Sequence, residues 1–534
     1  MTDRPAQTRL LSVVTATALL AGIASADEVG YEALVARLGA ATPTGAGVRV
    51  VQVEASEASG QQKISPNRTL AEFAGKSFYE QSGATTTSGH ATTVAQAFYS
   101  SSASIAPGIT QIHLYEAGLF LQSSYLRTAT AGSTPYFPPG PSSIDRARIF
   151  NHSWIGSFGP GNAAFDSEAL RRADFAMSRD GTLFICGENN GAGSAMQPLM
   201  ACGYNGIAVG RSDGQHSAGG TPAANDGPGR MKPELVAPGA FTSFSTPVVS
   251  AAAALLYQTA DTLPLSLNVN RRQGVTIKSA LLCGASHAET WSNQAPQAGS
   301  QRGVTTRPID PVYGCGTVNV DRAHRIIASD ERIGEASVEE AVDSVPHPPI
   351  GWDFVVFTSG GVQVHYRLDL PAGADEFNAL VTWNRTPTTA QLSAAAAAPV
   401  IANLRMELLR IEDGVALPIA GDAGIGVFAS GNVVSASAID NVEHIHLRGL
   451  APGNYVLSVT RDDPTSFTSG TGTVSWIIDE PEGRTGDLNA DGTVDGIDLG
   501  ILLGNWAAPG GPADLDSNGT VDGADLGILL GNWG

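Results

Sequence analysis

The N-terminal half of the chain alternates short apolar runs with alanine-rich segments of helical spacing. The apolar runs are 48–53, 111–115, 182–186 and 206–209, and their shortness is typical of buried parallel strands. The helical segments include 167–178 and 248–257. Such alternation predicts an α/β fold with a parallel sheet.

The pattern changes twice further along the chain. After a polar, proline-containing linker at 331–351, the segment 352–478 is rich in valine, threonine and serine with glycine-marked turns, which predicts an all-β sandwich. A second linker at 479–486 precedes an internal repeat with helical stripes at 487–534. We therefore expect three domains, of which the first occupies 27–330.

The N-terminus has the pattern of a secretory signal peptide. Arg4 and Arg9 precede an almost uncharged apolar stretch, 10–23, which is shorter than the roughly 20 residues that span a bilayer. Small residues at Ala24 and Ala26 then match the pattern that signal peptidase accepts. The sequence predicts a signal peptide at 1–26 and a secreted or cell-surface protein without a transmembrane segment.

Composition narrows the classes of function. The 534 residues are 42% hydrophobic and 15% charged, which fits folded domains rather than a disordered chain. Lysine and arginine total 31 against 51 acidic residues, a formal net charge of −20. This balance argues against a nucleic-acid partner, because such binding depends on cations that neutralise phosphates.

The cysteines are even in number, and export would expose them to an oxidising compartment. Three pairings of the four are possible, and we expect the sequential one, Cys186 with Cys202 and Cys283 with Cys315.

The C-terminal repeat predicts calcium binding. Each copy places oxygen side chains at loop positions 1, 3, 5, 9 and 12, glycine at position 6, and at position 7 a threonine that offers its backbone carbonyl. A hard cation requires this kind of oxygen ligand set, so we expect two calcium ions. The predicted ligands are Asp487, Asn489, Asp491, Thr493, Asp495 and Asp498 in the first copy, and Asp514, Asp516, Asn518, Thr520, Asp522 and Asp525 in the second.

After each loop comes a helix with one apolar stripe, ending at Trp506 in the first copy and Trp533 in the second. Loops and helices together resemble a type I dockerin over nearly all of 487–534. This resemblance implies a small α-helical domain that folds on calcium and docks onto a cohesin-like or cell-surface partner.

Three separated segments carry the residue types of nucleophilic catalysis. Ser243 lies where a helix containing Pro247 begins, at the end of the helix dipole that favours a developing oxyanion. His90 opens another helix and supplies the imidazole that a serine hydroxyl requires as a base. Glu54 ends an apolar strand, where open α/β sheets place functional groups, and could orient that imidazole.

The order and flanks of these residues resemble the subtilisin-like serine proteases, the subtilases, over about 45–330. The quoted segments are Phe-Thr-Ser-Phe-Ser-Thr-Pro around Ser243, Ser-Gly-His-Ala-Thr around His90, and Ala-Pro-Gly at 237–239. Cys-Gly-Glu-Asn-Asn-Gly at 186–191 looks like the family's oxyanion segment and makes Asn189 the carboxamide donor. The resemblance implies a serine endopeptidase that acts on peptide or protein substrates.

Of the departures from the family pattern, which include Ala91 in place of glycine after His90, two bear on activity. Glu54 stands where the family has aspartate, and Phe241 replaces a glycine next to the nucleophile. These departures keep a second hypothesis open, that the chain is a catalytically inactive surface or scaffold-associated binding protein with a subtilase fold.

Other motifs give weaker signals. Ser212 lies in a Gly-x-Ser-x-Gly pattern, which is typical of a nucleophile elbow. A nucleophile elbow is followed by a helix, and no amphipathic helix follows Ser212. His444 and His446 share one strand face, and without an evident third ligand we expect surface histidines there rather than a metal pair. A carbohydrase is not favoured, since no paired carboxylates can be placed in a cleft.

Overall fold

The structure is a computed structural model. It describes residues 26–58, 61–129, 147–262, 269–358, 363–462, 469–481, 485–489, 494–516 and 518–533. The predicted signal peptide lies outside these ranges except for its last residue. None of the helices within them has the length and apolar character needed to cross a membrane.

The helices and strands are numbered here in chain order. The α-helices are α1 (Tyr31–Leu38), α2 (Gly89–Tyr99), α3 (Ala117–Gln122), α4 (Tyr125–Ala129), α5 (Ala163–Asp180), α6 (Thr242–Asp261), α7 (Gly274–Cys283), α8 (Val320–Ala328), α9 (Val338–Asp343), α10 (Gly496–Gly504) and α11 (Gly523–Gly531). The strands of the first half are β1 (Arg49–Glu54), β2 (Lys63–Ser65), β3 (Ser77–Glu80), β4 (Thr86–Thr87), β5 (Gln111–Glu116), β6 (Ala147–His152), β7 (Leu183–Gly187), β8 (Ile207–Arg211), β9 (Gly219–Gly220), β10 (Met231–Lys232) and β11 (Leu235–Ala237). Those of the second half are β12 (Val304–Thr305), β13 (Ile350–Thr358), β14 (Val364–Leu370), β15 (Ala374–Trp383), β16 (Leu404–Glu412), β17 (Val415–Pro418), β18 (Ser430–Gly431), β19 (Val434–Ser435), β20 (Val442–Leu450), β21 (Gly453–Arg461) and β22 (Ser469–Asp479).

A seven-stranded parallel sheet forms the centre of the first domain. Its strand order is β11-β8-β7-β6-β1-β5-β3, and every neighbouring pair is parallel. The prediction of an α/β domain with a parallel sheet is confirmed. Because β1 lies between β5 and β6, its last residue, Glu54, emerges in the middle of the C-terminal edge of the sheet.

Helix α6 is buried along most of its length, and its composition explains why. Its middle part is a run of alanines flanked by valines and leucines, all of them buried. Small side chains let the helix lie close to the sheet, so Ser243 at its first turn is held rigidly. Pro247 has no amide to donate to the carbonyl of Ser243 one turn earlier, and the Ser153 hydroxyl donates to that carbonyl instead, at 2.9 Å.

The second region consists of β-rich sheets, as predicted. One sheet has the order β12-β19-β16-β21-β14 with β17 on β16, and the other has the order β13-β22-β15-β20-β18. Side chains from both sheets share one apolar core, in which the rings of Trp476 and Tyr366 pack against each other.

The two regions meet at an extensive seam along α7. Leu380 and Ile477 from the β-rich region belong to the same apolar core as the helices of the first domain. Polar groups also pair across the seam, since Ser279 Oγ lies 2.8 Å from Ser475 Oγ and Arg385 forms a buried 2.7 Å ion pair with Asp174. The two regions therefore pack as one unit.

The segment predicted as the first linker is partly ordered on the second region. It contains α9, whose Ala341 and Val342 pack against β16 and β21. The segment thus lies along the surface of the sheet rather than extending away from it.

The C-terminal segment contains α10 and α11, one after each repeat loop. Both helices begin with a capping box formed by two aspartates, Asp495 with Asp498 and Asp522 with Asp525. Leu502 and Leu529 meet in a small apolar core between the repeats. The dockerin-like identity of this segment stays a prediction.

The predicted disulfides are not formed. All four cysteines are buried and free. The Cys202 thiol donates to the carbonyl of Gln197 at 3.6 Å and the Cys283 thiol to that of Ser475 at 3.4 Å. Burial raises the pKa of both thiols to about 12, so they pack as small, uncharged side chains. The pairing of Cys186 with Cys202 and Cys283 with Cys315 was therefore wrong.

Candidate active site

Glu54 is buried at the end of β1, and its carboxylate is hydrogen-bonded to Gln52 of the same strand. The Gln52 amide donates to Glu54 Oε1 at 2.8 Å and to the carbonyl of Ala91 at 3.0 Å. The phenol of Tyr99 in turn donates to Gln52 Oε1. This chain of hydrogen bonds fixes one carboxylate oxygen and directs the other toward α2.

His90 is the second residue of α2, and its ring meets Glu54. The helix begins after Ser88, whose hydroxyl accepts from the amide of Ala91 at 2.9 Å. His90 Nδ1 lies 2.8 Å from Glu54 Oε2, and the imidazole side chain is 32% exposed. An Nδ1–H that donates to the carboxylate leaves the Nε2 lone pair available to accept a proton.

Glu57, which the sequence analysis did not single out, lies under the same helix start. Its Oε1 accepts from the amide of His90 at 2.9 Å and from the Ser88 hydroxyl at 2.8 Å, while Oε2 pairs with Lys63 at 3.1 Å. A carboxylate at a helix N-terminus is stabilised by the helix dipole. The sequence contains no periodic signal for this contact, since Glu57 follows the strand in an irregular segment.

The charges around His90 set the direction of its pKa. Burial alone would lower the pKa of the imidazole, but the adjacent Glu54 carboxylate and, more weakly, Glu57 raise it above its ordinary value. The two carboxylates therefore favour the imidazolium that a general base becomes once it has taken a proton.

Ser243 is the second residue of α6, which begins after Phe241 in extended conformation. The chain approaches this turn closely, because a Cβ on Gly239 would lie 2.7 Å from Ser245 Oγ. The Ser243 hydroxyl donates to the carbonyl of Ser153 at 3.3 Å, and the Ser153 hydroxyl donates to the carbonyl of Ser243 at 2.9 Å. The nucleophile candidate is thus tied to the strand end after β6.

Phe241 packs against Phe244, the aromatic residue that contacts the imidazole. Its ring meets Phe244 edge-on with centroids 5.7 Å apart, and Phe244 meets the His90 ring at 5.9 Å. Phe244 thus makes the aromatic contact with His90, and the phenylalanine that replaces glycine extends an apolar wall beside the site.

Asn189 lies in the loop after β7, but its amide is engaged. Its Nδ2 donates to the carbonyl of Ala195 at 3.0 Å, and its backbone amide donates to Ser217 Oγ at 3.0 Å. The neighbouring Asn190 connects this loop to α6, since its Oδ1 accepts from the amide of Thr242 at 2.8 Å. Asn190 was not among the predicted site residues, and the only signal for it in the sequence is its position next to Asn189.

The structure therefore joins two of the four predicted catalytic side chains directly, Glu54 and His90. Within the described ranges, no hydrogen bond connects Ser243 with His90. Ser243 and Asn189 lie at the ends of the elements where they were expected, with their polar atoms bonded to backbone carbonyls.

In the C-terminal repeat, Asp514, Asp516 and Asp525 bring carboxylate oxygens within 4.8 Å of one another. Asp525 Oδ1 accepts from the amides of Leu515 and Asp516, at 2.6 and 3.1 Å. Asp498 makes the equivalent bonds in the first copy. The donor set of hard oxygens fits a calcium ion, whereas Asp491 and Thr493 lie outside the described residues.

The model of the subtilase family (Peptidase_S8: Subtilase family) matches residues 63–306. This part of the chain is similar to the subtilase family, which supports a serine protease acting on a peptide or protein substrate. The matched range includes His90, Asn189 and Ser243 and begins after Glu54.

Two solved structures are similar to the chain. The crystal structure of a cold adapted subtilisin-like serine proteinase is 17% identical with a TM-score of 0.29, covering 52% of this chain and 90% of that chain. A structure from subtilase cytotoxin SubAB assembly is 16% identical with a TM-score of 0.35, covering 57% of this chain and 95% of that chain. None of the curated proteins matches the chain.

Proposed function

We propose that the protein is a secreted serine endopeptidase that uses Glu54, His90 and Ser243 as its triad. The observation that carries the proposal is the 2.8 Å contact between Glu54 Oε2 and His90 Nδ1 at the C-terminal edge of the parallel sheet. A buried carboxylate that holds one imidazole nitrogen and leaves the other available is the arrangement a serine nucleophile requires.

In the proposed reaction, Ser243 Oγ attacks the scissile carbonyl while His90 Nε2 takes the hydroxyl proton. The carbonyl oxygen becomes an oxyanion, which the Ser243 amide at the N-terminus of α6 and the Asn189 carboxamide stabilise. His90 then protonates the leaving amine, and a water molecule hydrolyses the acyl-enzyme by the same route. Glu54 keeps the imidazole oriented and stabilises its positive charge in both steps.

Two side chains change partners in this scheme. The Ser243 hydroxyl exchanges its 3.3 Å bond to the Ser153 carbonyl for His90 Nε2. The Asn189 amide exchanges the Ala195 carbonyl for the oxyanion. The hydrogen bond from Ser243 to the Ser153 carbonyl is long for a hydroxyl donor and therefore weak. A rotation about χ1 of Ser243 that breaks this bond costs little free energy.

Labelling with a fluorophosphonate probe, followed by hydrolysis of a peptide library, tests this function. We expect one probe adduct per chain, lost in Ser243→Ala, together with a fall in peptide hydrolysis of about 10⁶-fold. Ser212→Ala is the matched control, because Ser212 lies in the competing Gly-x-Ser-x-Gly pattern, and it should leave labelling unchanged.

The second candidate function is a non-catalytic binding protein. The bonds of Ser243 to Ser153 and of Asn189 to Ala195 favour it, together with Phe241 in place of glycine. The same experiment separates the two functions, since a folded, calcium-loaded wild type that neither reacts with the probe nor cleaves peptides is a binding protein.

We further propose that the C-terminal repeats bind two calcium ions and attach the protein to a cohesin-like or cell-surface partner. The carboxylates of Asp514, Asp516 and Asp525 support the second site. The calcium would offset the repulsion among these carboxylates and stabilise the loops. Isothermal titration should give two sites in the wild type and one in Asp514→Asn, whereas two sites retained in that variant contradict the ligand assignment.

A further inference from the structure

A cluster of histidines lies at the seam between the first domain and the β-rich region, remote in the chain from the catalytic residues. His287 follows α7, while Glu376 and His446 lie on the paired strands β15 and β20. Their ligand atoms all lie within 4.8 Å of one another. The sequence favoured surface histidines on β20, and this was wrong, since His444 and His446 are buried.

Of the three residues of the cluster, His287 has a buried ring whose nitrogens lack hydrogen-bond partners among the described residues. Its side chain is 0% exposed, and neither ring nitrogen makes a hydrogen bond within the described residues. Nδ1 lies 3.4 Å from Glu376 Oε1. Buried polar atoms normally have a hydrogen-bond partner, so the His287 nitrogens have unused bonding capacity, and unlike the other buried histidine rings of this kind they lie beside a second imidazole and a carboxylate.

The other two members are already oriented by a shared neighbour, Asn378. Its Oδ1 lies 2.7 Å from His446 Nδ1, and its Nδ2 donates to Glu376 Oε1 at 2.6 Å. A bond from the His446 Nδ1–H to the amide oxygen fixes the tautomer and leaves the Nε2 lone pair available. Metal-ligating histidines are commonly held in this way through their second nitrogen.

An aromatic ring packs against both histidines of the cluster, and their burial disfavours the protonated form. The ring of Trp291 meets His287 and His446 edge-on, at 4.7 and 4.9 Å. Burial lowers the pKa of both histidines well below the ordinary value. Arg322 approaches Glu376 at 3.4 Å and also pairs with Asp479, so its guanidinium is shared between two carboxylates.

We propose that His287, Glu376 and His446 bind one divalent transition-metal ion, with Zn²⁺ the best match, and so clamp the two regions together. Two imidazole nitrogens and one carboxylate oxygen form a ligand set of borderline softness that suits zinc better than calcium or magnesium. The His287 and His446 rings stack at 3.8 Å, so binding requires them to turn until their lone pairs converge.

Zinc titration of the full-length, calcium-saturated protein tests the proposal. We expect one zinc ion per chain, lost in His287→Gln and in His446→Gln, and about tenfold weaker binding in Asn378→Ala. His365→Gln is the matched control, since His365 is another buried histidine with unpartnered nitrogens in the β-rich region. His90→Gln controls for zinc at the catalytic imidazole, and both controls should retain the ion.

X-ray absorption on the zinc-loaded wild type supplies a readout that does not depend on the folding of any variant. Two imidazole nitrogens in the zinc shell are expected. A shell with fewer than two imidazoles, no stoichiometric zinc, or zinc that persists in both cluster variants overturns the site.

Discussion

The two halves of the candidate active site differ in how far they are assembled. The base half, Glu54 with His90, is connected by a 2.8 Å bond and supported by Gln52 and Glu57. The nucleophile half, Ser243 with Asn189, donates to backbone carbonyls instead. In the proposed mechanism, the acid–base pair is therefore already assembled in the fold, whereas Ser243 and Asn189 have to change partners before they can act.

Among the changes that test this difference between the two halves, removing the charge of the base half has the largest expected effect. Glu54→Gln keeps the size of the side chain but no longer stabilises the imidazolium, so we expect kcat to fall by about 10⁴-fold. Glu116→Gln is the control, because Glu116 is the register partner of Glu54 on β5 and caps α3 instead. An equal loss of kcat in both variants would mean that activity depends on carboxylates at the sheet edge in general and not on the pairing of Glu54 with His90.

The next effect tests whether the nucleophile half rearranges. If Asn189 leaves Ala195 to reach the oxyanion, Asn189→Ala should lower kcat by about 10²- to 10³-fold with little change in KM. Asn162→Ala, at the start of α5 and bonded to the carbonyl of Phe158, is the control and should retain full activity. An unchanged kcat in Asn189→Ala would leave Asn189 as a loop residue bonded to Ala195.

A smaller effect tests the length of the acid. The family carries aspartate at this position, yet the backbone here is placed so that a glutamate reaches His90 at 2.8 Å. Glu54→Asp withdraws the carboxylate by about 1 Å, and we expect a loss of about 10²-fold in kcat/KM. Activity equal to or above that of the wild type would show that β1 can shift to restore the contact.

The smallest effect concerns Glu57 and is seen in pH dependence. The pKa of His90 is raised by Glu54 and, more weakly, by Glu57, so the acid limb of kcat/KM should lie above the ordinary histidine value of about 6.5. Glu57→Gln lowers the pKa of His90 and should move this limb to lower pH while the plateau changes little. Glu80→Gln, which removes a carboxylate paired with Arg68, should not move the limb.

The sequence predicted the parallel sheet, β1 and α6 because each produces a local apolar pattern. Glu54, His90 and Ser243 could be singled out as candidates because each lies where such an element begins or ends. It could not predict Glu57 under α2, since that contact depends on the path of an irregular segment. It also placed the histidines of β20 at the surface, because the covering residue, His287, lies far away in the chain.

The cysteines also show that contacts between residues distant in the chain cannot be predicted from local sequence patterns. The even number of cysteines and the predicted signal peptide favoured disulfides. Whether two cysteines can pair depends on the distance between them, which is set by the packing of the core. Cys283 ends α7 against β22, where its thiol meets the carbonyl of Ser475.

The most direct test of the proposed triad is the rate of fluorophosphonate labelling as a function of pH in the wild type and in Glu54→Gln. A working triad predicts a wild-type rate that rises through a single pKa above about 6.5 and a slower rate in the variant, with its pKa shifted downward. A wild-type rate that does not change with pH, or a variant that labels as fast as the wild type, would contradict the role of Glu54 and His90 in activating Ser243.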